Sequence, residues 1–295
     1  MKIRTVGLTK HYGAIRALDA LDIEVREGEI FGFLGPNGAG KSTAIRLLLG
    51  YLHPTAGGGQ VLGHDIVKES VEIRRRIGYL PGGIALYDTL TGLEQLNFLA
   101  RLSRRAPSRR TELCDRLELS TKTLNRMVRD YSRGMRQKIG IVQALQHDPE
   151  LAVLDEPSEG LDPLMQRAFY DILERLRQEG RTIFFSSHVL SEVERICDRV
   201  AIIKDGRLVA VEEIARLRAR RRRNVTVQVE GAPPALAGVP GVADLQTRDG
   251  RVTCTVDGDI GPFLAALASV RVVDLTIEVP RLEEAFLDFY GGGSR

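Results

Sequence analysis

Gly35-Pro36-Asn37-Gly38-Ala39-Gly40-Lys41-Ser42-Thr43 sets two glycines, a lysine and a hydroxyl at the spacing of a phosphate-binding loop. Glycines let the backbone curl until successive N–H groups aim at one anion, and a helix N-terminus behind them adds partial positive charge. In that geometry Lys41 reaches the β- and γ-phosphates, Ser42 offers its oxygen to Mg²⁺, and Thr43 donates to a neighbouring phosphate. The apolar run 30–34 ahead of the loop reads as a buried strand, and 44–49 behind it as a helix. A nucleoside triphosphate is the expected ligand.

A second cluster lies far downstream. The run Leu151-Ala152-Val153-Leu154 is a buried strand that ends on two adjacent acids, Asp155 and Glu156. Parallel sheets bind ligands beyond the carboxyl ends of their strands, so acids at a strand tip suggest chemistry. Asp155 is suited to hold Mg²⁺ through water, and Glu156 to accept a proton from the water that attacks the γ-phosphate. Thr182-Ile183-Phe184-Phe185 reads as another strand, and after Ser186-Ser187 comes His188. Its imidazole is suited to hydrogen-bond the γ-phosphate and sense its presence. A lone histidine is more often a surface or packing residue.

These groups need a scaffold that brings strand ends to one edge. Strand-like runs at 30–34, 77–80, 151–154, 182–185 and 200–203 alternate with helical patterns, which argues a parallel sheet covered on both faces. Residues from about 90 to 147 show helical periodicity with no strand between, and read as a helical subdomain inserted into this α/β core. After it, Asp162 is expected to cap a helix that has Pro163 at its first position and stops at Gly180. Phe169, Ile172, Leu173 and Leu176 fall on one face of that helix, toward the core.

A break in composition follows. A helical pattern beginning near Val211 runs into a basic stretch with Arg216, Arg218 and Arg220 to Arg223. This stretch reads as a solvated helix end between domains, with grip on acidic lipid or nucleic acid as the other reading. No aromatic residue is interleaved with it. Beyond it, alternating strands at 224–229, 251–256 and 271–278 and a helical stripe of Leu282, Ala285, Phe286 and Phe289 make a small α+β domain; the last five residues read as frayed.

The chain has 295 residues, room for one large domain and a small one. Its formal charge of +3 comes from 42 basic and 39 acidic residues, too even to argue for nucleic acid. Cys114, Cys197 and Cys254 lack paired spacing and read as buried, reduced thiols. No apolar stretch approaches the roughly 20 residues that cross a bilayer, and no signal peptide is expected. Action on a membrane would come from the cytoplasmic side, through partners.

Between the two clusters, Tyr131-Ser132-Arg133-Gly134-Met135-Arg136-Gln137 opens a helix. With all of these elements in order, the chain resembles the ATP-binding cassette (ABC) family of ATPases over residues 1 to about 220. The resemblance implies a P-loop NTPase core with the inserted helical subdomain at about 90–147, and an accessory domain over 221–295. It maps the Walker A loop onto Gly35 to Thr43, the signature onto Ser132 to Met135, Walker B onto Leu151 to Glu156, the D-loop onto Ser158 to Asp162 and the switch histidine onto His188. Tyr12 matches the aromatic residue on which the family stacks adenine. The implied ligands are ATP and Mg²⁺. The implied assembly is a head-to-tail homodimer in which Ser132 and Gly134 of one protomer meet the γ-phosphate held by the other's Lys41, with Asp162 linking the two sites. It also implies integral membrane permease subunits, and location at the cytoplasmic face of the cell membrane.

Two departures stand out. Only Ser132 and Gly134 survive from the core of the usual Leu-Ser-Gly-Gly-Gln signature, and Tyr131 to Met135 is similar to the variants of one export branch. In Ile77-Gly78-Tyr79-Leu80-Pro81-Gly82-Gly83, glycine stands about where the family has a glutamine that touches Mg²⁺ or the attacking water. The segment 272–290, above all Pro280-Arg281-Leu282-Glu283-Glu284-Ala285-Phe286-Leu287, resembles the accessory domain of daunorubicin-resistance-type exporters. The expected function is the ATP-hydrolysing subunit of an ABC exporter, with no nucleic acid partner. The alternatives are a soluble cassette ATPase acting on nucleic acid or ribosomes, and a weakly active regulatory subunit.

Overall fold

The computed structural model describes residues 1–219, 223–231, 234–248 and 250–278. They form two compact units, Met1–Val211 and Glu212–Arg295, a division ahead of residue 220. Arg220 to Arg222 and the stripe from Leu282 to Phe289, with the frayed end after it, lie outside the described residues.

At the centre of the first unit is a six-stranded sheet. Its order is Arg207–Glu213, Arg199–Lys204, Ile30–Leu34, Thr182–Ser187, Leu151–Asp155 and Ile77–Leu80. The pairings from Arg199–Lys204 through to Ile77–Leu80 are all parallel. All five expected strands are therefore present in one sheet. The strands Ile30–Leu34, Leu151–Asp155 and Thr182–Ser187 are buried at every position. That explains their unbroken apolar runs, since both faces are covered. Phe184 lies between Phe31 and Phe33, with ring centroids 6.0 and 5.3 Å away. Burying each such ring contributes roughly 1.5–3 kcal/mol.

Register sets the functional edge. Leu34 pairs with Ser187 and Asp155 with Ser186. Three parallel strands thus end level, and the residues just beyond their tips (Gly35, Glu156 and His188) emerge on one side of the sheet.

A five-stranded antiparallel sheet flanks this core, with Ile3–Tyr12 paired to Ile15–Leu21, Glu24–Val25 and Ala56–Val61, and the last of these to His64–Asp65. Of these strands only the first carries a legible alternating pattern.

The helical region begins at Gly92–Ser103, where Thr91 and Glu94 form a capping box. It continues through Arg110–Arg116 and Thr121–Leu124 to Arg133–Leu145, with no strand element between. Ion pairs tie it to the sheet core. Arg109 Nε meets Asp148 Oδ1 at 2.5 Å, Arg181 grips the same carboxylate, and Arg175 reaches Glu112 at 3.1 Å. Burial alone would raise the Asp148 carboxyl, but the Arg181 and Arg109 hydrogen bonds outweigh it and hold it below the ordinary carboxylate range. A lowered folded value stabilises the fold above that range, and the contribution is lost as pH falls through it. Asp148 has φ 53°, which asparagine also tolerates. Asp148→Asn should therefore cost about 1–3 kcal/mol near neutrality. In thermal melts the gap to wild type should close in acid; a gap that persisted there would contradict the ion-pair account.

The helix Pro163–Gln178 forms as expected. Asp162 Oδ1 accepts from the Leu164 and Met165 amides at 3.0 Å, and Gly180 has φ 84°. Phe169, Ile172, Leu173 and Leu176 are all buried. One element differs. Val211 continues the strand Arg207–Glu213, whose burial alternates, and the helix starts at Ile214. A hairpin turn at Asp205 and Gly206, with φ 49° and 77°, leads into that strand.

The second unit is α+β. Its four-stranded sheet has the order Val242–Arg248, Arg251–Val256, Arg223–Glu230 and Arg271–Glu278, all antiparallel. Phe263 and Leu267 of the helix Gly261–Leu267 join a core of Val225, Val227, Val252 and Val256. The strand at 242–248 and this short helix are additions to the expected elements. The three cysteines are buried and unpaired.

Candidate nucleotide site

The loop after Ile30–Leu34 turns tightly because its glycines lack side chains. A Cβ on Gly35 would lie 2.4 Å from the Ile203 carbonyl oxygen, and Gly40, at φ 104°, would meet the Ala17 carbonyl at 2.5 Å. The helix Lys41–Leu48 starts with no side-chain cap, and its first main-chain bond is Ala44 N–H to Gly40 O at 2.9 Å. Amides of the loop and first turn are thus left for an anion. They border a cleft of about 470 Å³ lined by Asn37, Gly38, Lys41, Ser42, Thr43 and Glu156, among others. Gly35, Pro36 and Ala39 shape the loop without lining this cleft.

Lys41 is nearly buried, and its ammonium donates to the carbonyl oxygens of Gly35 at 2.7 Å and Pro36 at 3.2 Å. The same nitrogen lies 3.2 Å from Glu156 Oε1. Asp155 is buried and accepts from Ser186 Oγ through Oδ1 and from Ser42 Oγ through Oδ2, the latter at 2.9 Å. Two adjacent ligands of an octahedral ion with bonds of about 2.0–2.1 Å are about 2.8–3.0 Å apart. The Ser42 and Asp155 oxygens therefore fit Mg²⁺. Among the described residues no group of three or more His, Cys, Asp or Glu could hold a metal. An ion here would complete its shell with water and phosphate oxygens, as Mg²⁺ prefers.

Glu156 leaves the strand with φ 49°, an uncommon conformation for a side chain of its size. That twist aims its carboxylate at Lys41 and His188. Oε2 lies 2.8 Å from His188 Nδ1, whereas buried Oε1 makes no hydrogen bond and lies 3.2 Å from the Lys41 ammonium. An ionised carboxylate only accepts, so His188 Nδ1 carries the proton in this contact. Glu156 lines the cleft, where a carboxylate is suited to take the proton of a water.

The other expected residues lie apart from the cleft. Ser132 caps the helix Arg133–Leu145 by accepting from the Met135 amide at 3.2 Å, and is itself exposed. A Cβ on Gly134 would stand 2.9 Å from the Gly160 carbonyl oxygen, and Arg133 pairs with Glu159. The signature helix therefore packs on the turn after Glu156 within one chain. Tyr12 is 45% exposed and does not line the cleft; its strand partner Ile15 does, with Arg16, Ala17 and Asp205. Nothing in the local sequence marks these four as part of a site. A Cβ on Gly82 would lie 3.4 Å from Asp155 Oδ2, ordinary contact. The glycine stands beside Asp155 and offers it no side chain.

Comparison with known proteins agrees with this architecture. A family model described as ABC transporter matches residues 18–159. The chain is 35% identical to a bacitracin transport ATP-binding protein of Bacillus licheniformis, over 99% of this chain and 98% of the relative. It is also 35% identical to a daunorubicin resistance ATP-binding protein of Streptomyces coeruleorubidus, over 98% and 96% of the two chains. Among solved structures, an ATP-binding subunit of an ABC transporter superposes with a TM-score of 0.69 at 30% identity, over 74% of this chain and 92% of the other. A dimeric, post-hydrolysis ATP-binding cassette bound to ADP and Pi gives 0.66 at 26% identity, over 72% and 98%. With the phosphate loop, the acid pair and His188 assembled at one sheet edge, the chain belongs to the ABC transporter family, as an ATP-binding protein that hydrolyses ATP.

Proposed function

We propose that this ATPase drives export of a drug or antibiotic through separate membrane permease subunits, working as a head-to-tail pair at the cytoplasmic face of the membrane. The observation that carries the pairing is the separation of its parts. Glu156, His188 and Lys41 converge on one cleft, while the exposed helix start at Ser132 lies outside it. A second copy would bring its Ser132 and Gly134, with the positive end of their helix, onto the γ-phosphate bound by Lys41.

In this reading Lys41 and the loop amides hold the phosphates, Ser42 and Asp155 hold Mg²⁺, and Glu156 takes the proton of the attacking water. His188 fixes the Glu156 carboxylate through Nδ1–H, and as an imidazolium it would also donate from Nε2 toward the γ-phosphate. Bound Mg²⁺ would neutralise phosphate charge as it builds in the transition state. Tyr12, beside Ile15, is the candidate stacking surface for adenine. Names of the relatives support export; among the described residues no helix is long and apolar enough to cross a membrane, which fits reliance on permease partners.

Mixing two inactive variants tests the pairing. Lys41→Ala removes the phosphate grip, and Ser132→Arg blocks the opposite face at a cap cost of about 1 kcal/mol. Each alone should be inactive. Mixed pairs regain one intact composite site, so ATPase activity should return on mixing. No recovery, with both variants folded and pairing, would overturn the head-to-tail arrangement. Pull-down of the wild-type chain from detergent-solubilised membranes should bring permease proteins with it.

A further inference from the structure

We infer that Glu192 is a positioning residue that clasps the loop carrying Glu156 to the loop carrying His188; this rests on the catalytic roles proposed for those two. Ser158, two residues past Glu156, donates to Glu192 Oε1 at 2.5 Å. Ser187, the residue before His188, donates to Oε2 at 2.7 Å. Both serines are buried, and the Ser187 oxygen also accepts from the Val189 amide at 2.9 Å. One half-buried carboxylate thus spends both of its oxygens on two hydroxyls, one from the turn after Glu156 and one from the strand end before His188.

The chemistry argues for more than packing. Hydrogen bonds to an ionised acceptor are short and about twice as strong as neutral ones, so they hold a geometry tightly. The nearby Arg195 guanidinium does not bond the acid but covers the Tyr170 ring at 5.0 Å. Burial, then the Glu192 charge, push the Tyr170 phenol upward, while its hydroxyl makes no hydrogen bond of good geometry. The two serines make the carboxylate's well-formed hydrogen bonds, with the Tyr170 hydroxyl close beside them.

A second clasp lies on the inner side. Ser186 donates to Asp155, and the Glu156 amide donates to the Ser186 carbonyl oxygen at 3.2 Å. The Glu156–His188 contact joins the same two segments. Glu192 also joins a longer chain of contacts, because buried Gln137 of the signature helix donates to Pro157 O at 2.7 Å. The helix thus holds Pro157, the neighbour of Ser158, and Glu192 links Ser158 in turn to Ser187 beside His188.

Displacing a catalytic group by about 1 Å can cost a hundred-fold in rate. Glu192→Ala should lower kcat on the order of ten- to a hundred-fold. ATP affinity, read with a fluorescent ATP analogue, should stay near wild type, while Tm should fall because two buried hydroxyls lose their acceptor. Glu192→Gln still offers one acceptor and one donor to the two hydroxyls and should recover most of the rate. Ser158→Ala with Ser187→Ala should reproduce the Glu192→Ala loss, and adding Glu192→Ala to that pair should lose little more. The same readings on the serine pair decide the matter if Glu192→Ala fails to fold. The inference is overturned if Glu192→Ala, or the serine pair, keeps wild-type kcat while Glu156→Gln is inactive, or if kcat and ATP affinity fall together. Wild-type turnover in Glu156→Gln would instead remove the reading beneath it.

Discussion

Glu156→Gln should reduce ATP turnover by roughly a hundred- to ten-thousand-fold, the range that correct proton handling is worth, while ATP still binds. The substitution keeps the volume and removes the basic oxygen. It also disturbs the site's charge balance in a specific way. The carboxylate offers one oxygen to His188 at 2.8 Å and the other to the Lys41 ammonium at 3.2 Å. An amide has a single oxygen, so it can serve His188 or Lys41 but not both. Its NH₂ group then points a donor at a donor, or turns toward bound phosphate. Because Lys41 keeps its bonds to the Gly35 and Pro36 carbonyls, the loop should hold and nucleotide affinity should survive. ATP-loaded pairs should accumulate, visible as a dimer peak in size exclusion that wild type loses as ATP is consumed. Turnover at the wild-type rate would remove Glu156 from the mechanism.

Lys41→Ala should act one step earlier. Removing one partner of a buried, hydrogen-bonded charge pair typically costs about 2–5 kcal/mol, or one and a half to three and a half decades in affinity. Lys41 is 6% exposed and is the ammonium nearest to Glu156 Oε1, so the loss should lie well within that range. Wild type should gain thermal stability as ATP is raised, since a ligand that binds only the folded state stabilises it. The variant should show almost no gain at the same concentrations. Its unliganded Tm should also fall, because Glu156 loses its cation and two carbonyl oxygens lose their donor. Undiminished ATP-dependent stabilisation would mean that the phosphates sit elsewhere.

Contiguous signals were enough for much of this protein. The phosphate loop, the acids closing an apolar strand and the Asp162-Pro163 start of a helix each act within a few residues. Local sterics and hydrogen bonding dictate such features whatever surrounds them. Five buried strands were legible for the same reason, since a strand covered on both faces must be apolar throughout. Order along the chain then determined the family and the chemistry it performs.

Other features were decided only by tertiary structure. The left-handed twist of Glu156 arises where its amide meets Ser186, thirty residues away in the chain. Ser186 and Glu192 read as ordinary polar residues until parallel register brings Asp155 opposite Ser186 and Ser158 near Ser187. The cleft wall of Ile15, Arg16 and Ala17 comes from an antiparallel hairpin whose short strands carry little periodicity. Each depends on contacts between distant segments, and such contacts exist only once the chain is packed.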